Sequence, residues 1–109
     1  IQPPLAVRRA LTQLGSDLRA ARQRRRLPVA VVAERAMTTR QTVSRLERGD
    51  PSVAVGTWAS VLFALGMIDR LETLAAPAAD ALGQALDVER QPQRVRLPSR
   101  GQRPSREEP

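Results

Sequence analysis

The sequence predicts an all-α fold, and three observations carry the prediction. Among 109 residues there is one Trp, one Phe and no Tyr, so a core must be assembled from Leu, Val, Ala and Met. That set packs helices more readily than strands, which favour aromatic and β-branched side chains. Apolar residues recur three or four apart, the period of a helix face. Pro, Gly, Ser, Thr and Asp fall between those periodic runs, where helices start and stop. The length fits one domain plus tails, with a modest core.

The first periodic run spans residues 5–25, where Leu11, Leu14, Leu18 and Ala21 share a face behind Pro3 and Pro4. It reads as one helix, or as two abutting helices if Gly15-Ser16-Asp17 interrupts it, with Ser16 or Asp17 as a new cap. Four arginines follow between Arg22 and Arg26, and Pro28 bars helical geometry at Leu27. Pro28 is expected to open a second helix to Ala36, with Val29, Val32, Ala33 and Ala36 inward.

After the short link Met37-Thr38-Thr39, Thr39 is a suitable cap for a third helix over residues 40–48. Only Val43 and Leu46 are apolar there, so this helix can bury one narrow stripe. Gly49 stops it, and Asp50-Pro51-Ser52 turns the chain. A fourth helix over 56–66 places Trp58, Val61, Leu62 and Leu65 on one side, with Gly66 as its end cap. A short fifth helix over 69–75 directs Leu71 and Leu74 inward, and residues 80–89 add one or two further turns. From Gln91 the composition turns to Pro, Arg, Gln, Ser and Gly, which predicts a flexible basic Pro-rich tail over 91–109; Val95-Arg96-Leu97 alone has strand character. No internal repeat is visible.

Composition excludes several classes. Without Cys or His there is no disulfide framework, no zinc site of the usual ligands and no common nucleophile–base pair. No Gly-rich phosphate loop and no paired carboxylates point to an enzyme, so no catalytic residue, metal or cofactor is expected. No run is long and apolar enough to span a membrane, and no signal-peptide pattern is legible, which predicts a cytoplasmic protein. The net charge is +7 and every basic residue is Arg. Residues 1–50 hold 11 arginines against four acids, residues 51–90 two against five. The basic half suits a polyanion and the acidic segment a protein partner.

Residues 28–49 are the informative segment: two short helices joined by about three residues, the second with a thin apolar underside and a polar outer face. Duplex DNA explains such a pair. A helix fits the major groove, where Arg bonds guanine, Gln bonds adenine and a Thr methyl meets thymine. Arg40, Gln41 and Arg45 fall on one side, and Arg40 and Gln41 occupy the first turn, the part that reaches base edges in a helix-turn-helix.

The segment resembles the lambda-repressor-like helix-turn-helix of the Xre family. The resemblance rests on Val32-Ala33-Glu34-Arg35-Ala36 and on Thr39 through Gly49, ending Leu46-Glu47-Arg48-Gly49. Over 14–98 it is similar to the HipB-like antitoxins, through Leu14-Gly15-Ser16-Asp17-Leu18-Arg19, Glu47 through Val53, Val61 through Met67, and Arg94 through Pro98. The resemblance implies a five-helix DNA-binding domain over 14–76, preceded by a helical extension (1–13) and followed by a short one (77–90) and the largely disordered tail.

It further implies a dimeric repressor on an inverted-repeat operator, autoregulating a toxin–antitoxin operon and binding a HipA-like serine/threonine kinase. Base readout falls to Thr39, Arg40, Gln41, Ser44 and Arg45, and phosphate contact to Thr42 and Arg48, with Arg25, Arg26 and Thr38 nearby as compensating phosphate contacts. Arg22 and Glu47 match a pair that ties the first helix to the third. Two positions depart from the pattern. Val29 stands where the family has a phosphate-binding Gln, and Met37 stands where the turn has Gly, resisting a positive φ by about 1 kcal/mol.

Blander readings stand beside these. The Arg22–Arg26 run also suits a solvated helix end, favoured there by the helix dipole, and Arg45 could pair with a surface acid. The alternative function is a protein-interaction module using the same helices without DNA.

Overall fold

A computed structural model describes residues 2–90. The tail, its expected disorder and Val95-Arg96-Leu97 lie outside the described residues. The described residues divide into two compact units, on either side of the Thr73–Leu74 bond. All regular structure among the described residues is helical.

The first unit holds five helices: α1 (Leu5–Arg24), α2 (Val29–Arg35), α3 (Arg40–Glu47), α4 (Val55–Ala64) and α5 (Asp69–Glu72). Gly15-Ser16-Asp17 does not interrupt α1, which runs 20 residues without a break. Of its expected apolar face, Leu18 and Ala21 are buried and Leu11 packs against the core, whereas Leu14 lies at the solvent edge. The place expected for Leu14 belongs to Gly15, which is buried where α1 crosses the end of α3. Pro28 caps α2 from outside the helix and does not begin it. α5 stops at Glu72, so Leu74 falls outside it and is exposed, while Leu71 packs against the core.

Four successive helices end in one way. After α1, α2, α3 and α4 the residue following the cap turns left-handed: Arg26 (φ 55°), Met37 (φ 56°), Gly49 (φ 78°) and Gly66 (φ 75°). Each time the next N–H closes back on a carbonyl of the last turn: Leu27 on Arg22, Thr38 on Ala33, Asp50 on Arg45 and Met67 on Leu62, at 2.8–3.2 Å. This six-residue closure satisfies carbonyls that a helix end leaves orphaned. The turn that Met37 was expected to resist therefore forms, with Met37 itself in the left-handed position.

The core is Leu18 and Ala21 from α1, Val32, Ala33 and Ala36 around α2, Val43 and Leu46 from α3, Val53, then Trp58, Val61, Leu62 and Leu65 in and after α4. Trp58 is a core residue. α2 packs on α3 and α4, and α1 on α3. Within the second unit, Pro77–Ala79 forms a 3-10 turn and α6 spans Ala81–Arg90; Asp80 Oδ1 caps α6 by accepting the Gly83 N–H at 3.0 Å.

Candidate nucleic-acid interface

The interface is built from α3 outward. Thr39 is extended (φ −98°, ψ 158°), and its hydroxyl oxygen accepts the Thr42 N–H at 3.1 Å, which starts the helix. The same hydroxyl donates to Thr42 Oγ1 at 2.9 Å, so the two threonines hold each other across the first turn. Val43 and Leu46 are fully buried. At about 1.5–3 kcal/mol for each buried aliphatic side chain, that stripe contributes much of what holds the helix to the protein.

Residues four apart on the opposite face stay outside. Arg40, Gln41 and Arg48 are exposed, Thr42, Ser44 and Arg45 half-buried, and the six border one open depression. Among the described residues, the Arg40 and Gln41 side chains make no hydrogen bond within the chain, so their donors and acceptors are available at the helix N-terminus, which itself favours anions. Arg45 is engaged: its Nε donates to Asp50 Oδ2 at 3.0 Å and its Nη2 to Ser52 Oγ at 2.6 Å. The surface acid set against base contact in the sequence is therefore Asp50, two bonds using two of the five guanidinium donors.

The back of α3 is clamped to α1. Arg22 Nε donates to Glu47 Oε2 at 2.7 Å and Nη2 to Oε1 at 3.1 Å, while Nη1 reaches the Leu27 carbonyl at 3.0 Å. The side chains are only 12% and 8% exposed, and the paired Glu47 raises the Arg22 pKa above its ordinary value. A two-toothed pair of this kind fixes direction as well as distance. It ties the end of α3 to the end of α1 and to the turn leading into α2.

The remaining basic groups divide. Arg48 continues from the first depression into a second one, shared with Arg19, Arg22, Val29, Ser44 and Glu47. Arg19 is the cation that the sequence reading missed; only its position one turn before Arg22 on α1 hints at it. Asp50 and Ser52 were also missed as partners of Arg45, having been read only as a turn. Arg25 and Arg26 are exposed at the α1–α2 turn and border neither depression. Arg25 Nη1 donates to the Ala21 carbonyl at 3.0 Å, so at least this part of the arginine run serves the helix end. Thr38 is half-buried between α2 and α3, its N–H committed to Ala33.

Among the described residues no group of three His, Cys, Asp or Glu side chains converges as a metal site would require, and no helix is long and apolar enough to cross a membrane. No curated protein and no solved structure matches the chain. Residues 13–76 match a helix-turn-helix domain family, and these residues carry all of α2, α3 and α4 and the polar face just described. The chain therefore belongs to that DNA-binding helix-turn-helix family, of the Xre-like kind that its sequence resembles.

Proposed function

We propose that the chain is a sequence-specific transcriptional repressor that binds an inverted-repeat operator as a homodimer, inserting α3 of each copy into successive major grooves about 34 Å apart. The observation that carries this reading is the division of α3: Val43 and Leu46 are sealed in the core while Arg40 and Gln41 stand unbonded and exposed in its first turn. Thr39, Arg40, Gln41, Ser44 and Arg45 read bases; Arg48, Thr42 and Thr38, with Arg25 and Arg26 at the neighbouring turn, hold phosphates. From the resemblance to HipB-like antitoxins, the repressor acts on its own operon and pairs with a HipA-like serine/threonine kinase.

The test is an electrophoretic mobility shift on the chain's own promoter, repeated with Arg40→Ala and Gln41→Ala. Each change lowers discrimination between operator and unrelated duplex by about 1–3 kcal/mol. Six arginine–phosphate contacts per dimer, from Arg25, Arg26 and Arg48, give a slope of log K against log salt of about −5. Binding that ignores both substitutions removes α3 as the reading element. Copurification with a kinase but no DNA affinity at low salt would favour the protein-interaction module instead.

A further inference from the structure

The geometry points to Asp50 and Ser52 as positioning residues that aim the Arg45 guanidinium at a guanine, an inference that rests on the DNA-binding reading above. A guanidinium offers its five N–H donors along two useful edges. The side edge carries the Nε–H and one Nη2–H; the end edge carries one N–H from each Nη. Asp50 takes the Nε–H at 3.0 Å and Ser52 Oγ takes an Nη2–H at 2.6 Å, so the side edge is filled. The end edge is left, and two parallel N–H donors are what the O6 and N7 acceptors of guanine require in the major groove. Arg45 borders the same depression as Arg40 and Gln41, so its uncommitted donors belong to a residue of the reading face.

The support is built by the backbone, not assembled by chance between long side chains. Asp50 follows the left-handed Gly49, and its own N–H closes on the Arg45 carbonyl at 3.1 Å, which brings residues 45 and 50 together. Asp50 Oδ1 then accepts both the Ser52 N–H (2.8 Å) and the Ser52 hydroxyl (2.7 Å). The Ser52 proton is thus committed to Asp50, and its oxygen lone pairs are left for Arg45. The Ser52 hydroxyl and N–H, then Arg45, lower the Asp50 pKa to about 2, so the support stays charged throughout the neutral range. A carboxylate beside a phosphate-binding face is otherwise a liability through like-charge repulsion. An arginine already held in one rotamer has less freedom left to lose on binding.

The test is selection from a duplex library randomised over about two helical turns, using the full chain, Arg45→Ala, Asp50→Ala and Ser52→Ala, with thermal melting by circular dichroism as a check on folding. Ser52→Ala keeps both the Arg45–Asp50 pair and the backbone bond to Asp50, so it tests the support without loosening the turn. The unaltered chain selects a guanine at one position of each half-site, by about 5- to 150-fold over other bases. Arg45→Ala loses that preference. Asp50→Ala and Ser52→Ala weaken it about 2- to 12-fold, the worth of holding one long side chain in place, and leave preferences elsewhere in the site unchanged. If Arg45→Ala loses the guanine while both support variants keep or sharpen it, the pair competes with DNA and this inference is overturned, with the DNA reading intact. If Arg45→Ala selects the same site as the unaltered chain, Arg45 does not read a base and the inference is overturned likewise. If the unaltered chain selects no sequence at all, the inference and the DNA reading fail together.

Discussion

Gly15→Ala sets two well-known effects against each other, and the structure decides the sign. In an open helix interior, Ala is favoured over Gly by about 0.5–1 kcal/mol, and propensity alone predicts that this substitution stabilises α1. At Gly15, however, a methyl group would lie 2.5 Å from the Leu46 carbonyl oxygen, 2.8 Å from that of Glu47 and 2.9 Å from the Glu47 carbonyl carbon. The nearest contact is about 1 Å too short. The obstructing atoms are backbone at the end of α3, so no rotamer change relieves them, and α1 and α3 must separate at the crossing where Arg22 grips Glu47. Overpacking of this kind costs about 3 kcal/mol, against about 1 kcal/mol gained from propensity, leaving about 2 kcal/mol of net destabilisation. For a domain of this size that lowers Tm by about 8–16 °C. Thermal and urea unfolding followed by circular dichroism at 222 nm measures it. Gly56→Ala is the control: its methyl meets nothing within 4 Å, so only the small propensity gain remains. A Gly15→Ala variant melting at or above the parent would refute the close crossing of α1 and α3.

Three further outcomes follow from the same geometry. Glu47→Ala strands a mostly buried arginine and costs about 3 kcal/mol in urea unfolding, the lower end for a broken buried pair because Arg22 keeps 12% of its side chain in solvent; a loss under about 1 kcal/mol would mean that the clamp is ornamental. Asp50 titrates at about 2 in the folded chain against about 3.9 unfolded, so its contribution to stability is fully present above the unfolded value and disappears as pH falls through about 2; the carboxyl carbon shift by NMR reads the midpoint, which Ser52→Ala raises, and a midpoint near 4 in the parent would contradict the hydrogen bonds drawn here. Met37 is left-handed and 92% exposed, so Met37→Gly relieves about 1 kcal/mol of strain at little cost in packing and melts at or slightly above the parent, whereas the β-branched Met37→Val melts below it; the reverse order would disprove the positive φ.

The core and the division of α3 were legible because they depend on local rules. Val43 and Leu46, three apart in an otherwise polar run, leave a helix one way to face, and Thr39 has the hydroxyl its N-terminus needs. Gly49 and Gly66 announced their turns by residue type. Arg26 makes the same turn unannounced: the Leu27 N–H closes on the Arg22 carbonyl with a residue in the left-handed position whose side chain disfavours it. Gly15 misled for a related reason. In sequence a helical glycine reads as weakness, and only the crossing with the carbonyls of residues 46 and 47 turns it into a requirement. Leu14 drew the apolar stripe one residue off for the same cause, since the contact with α3 is made by the residue without a side chain. The Arg45 support was invisible because Asp-Pro-Ser suffices to explain a turn, and nothing in the spacing says which acid an arginine will find.

The anchors of α3 are unevenly placed along it. Eight residues span about 12 Å, too short to be stable alone, so the helix is held by what touches it. Leu46 in the core, the Gly15 crossing at residues 46 and 47, and the Arg22–Glu47 pair all act on its C-terminal half. Its first turn is held by the Thr39 cap and by Val43 one turn further on, and it presents Arg40 and Gln41 outward. A helix anchored chiefly over its C-terminal half, with Arg40 and Gln41 exposed in its first turn, can offer that turn to a groove. The arrangement also means that a disturbance at the clamp is magnified at the reading end, since a small rotation about residue 46 sweeps Arg40 through a larger arc. Clamp variants that still fold therefore alter base preference at Arg40 and Gln41 more than they alter phosphate contact at Arg48, which sits next to the pivot.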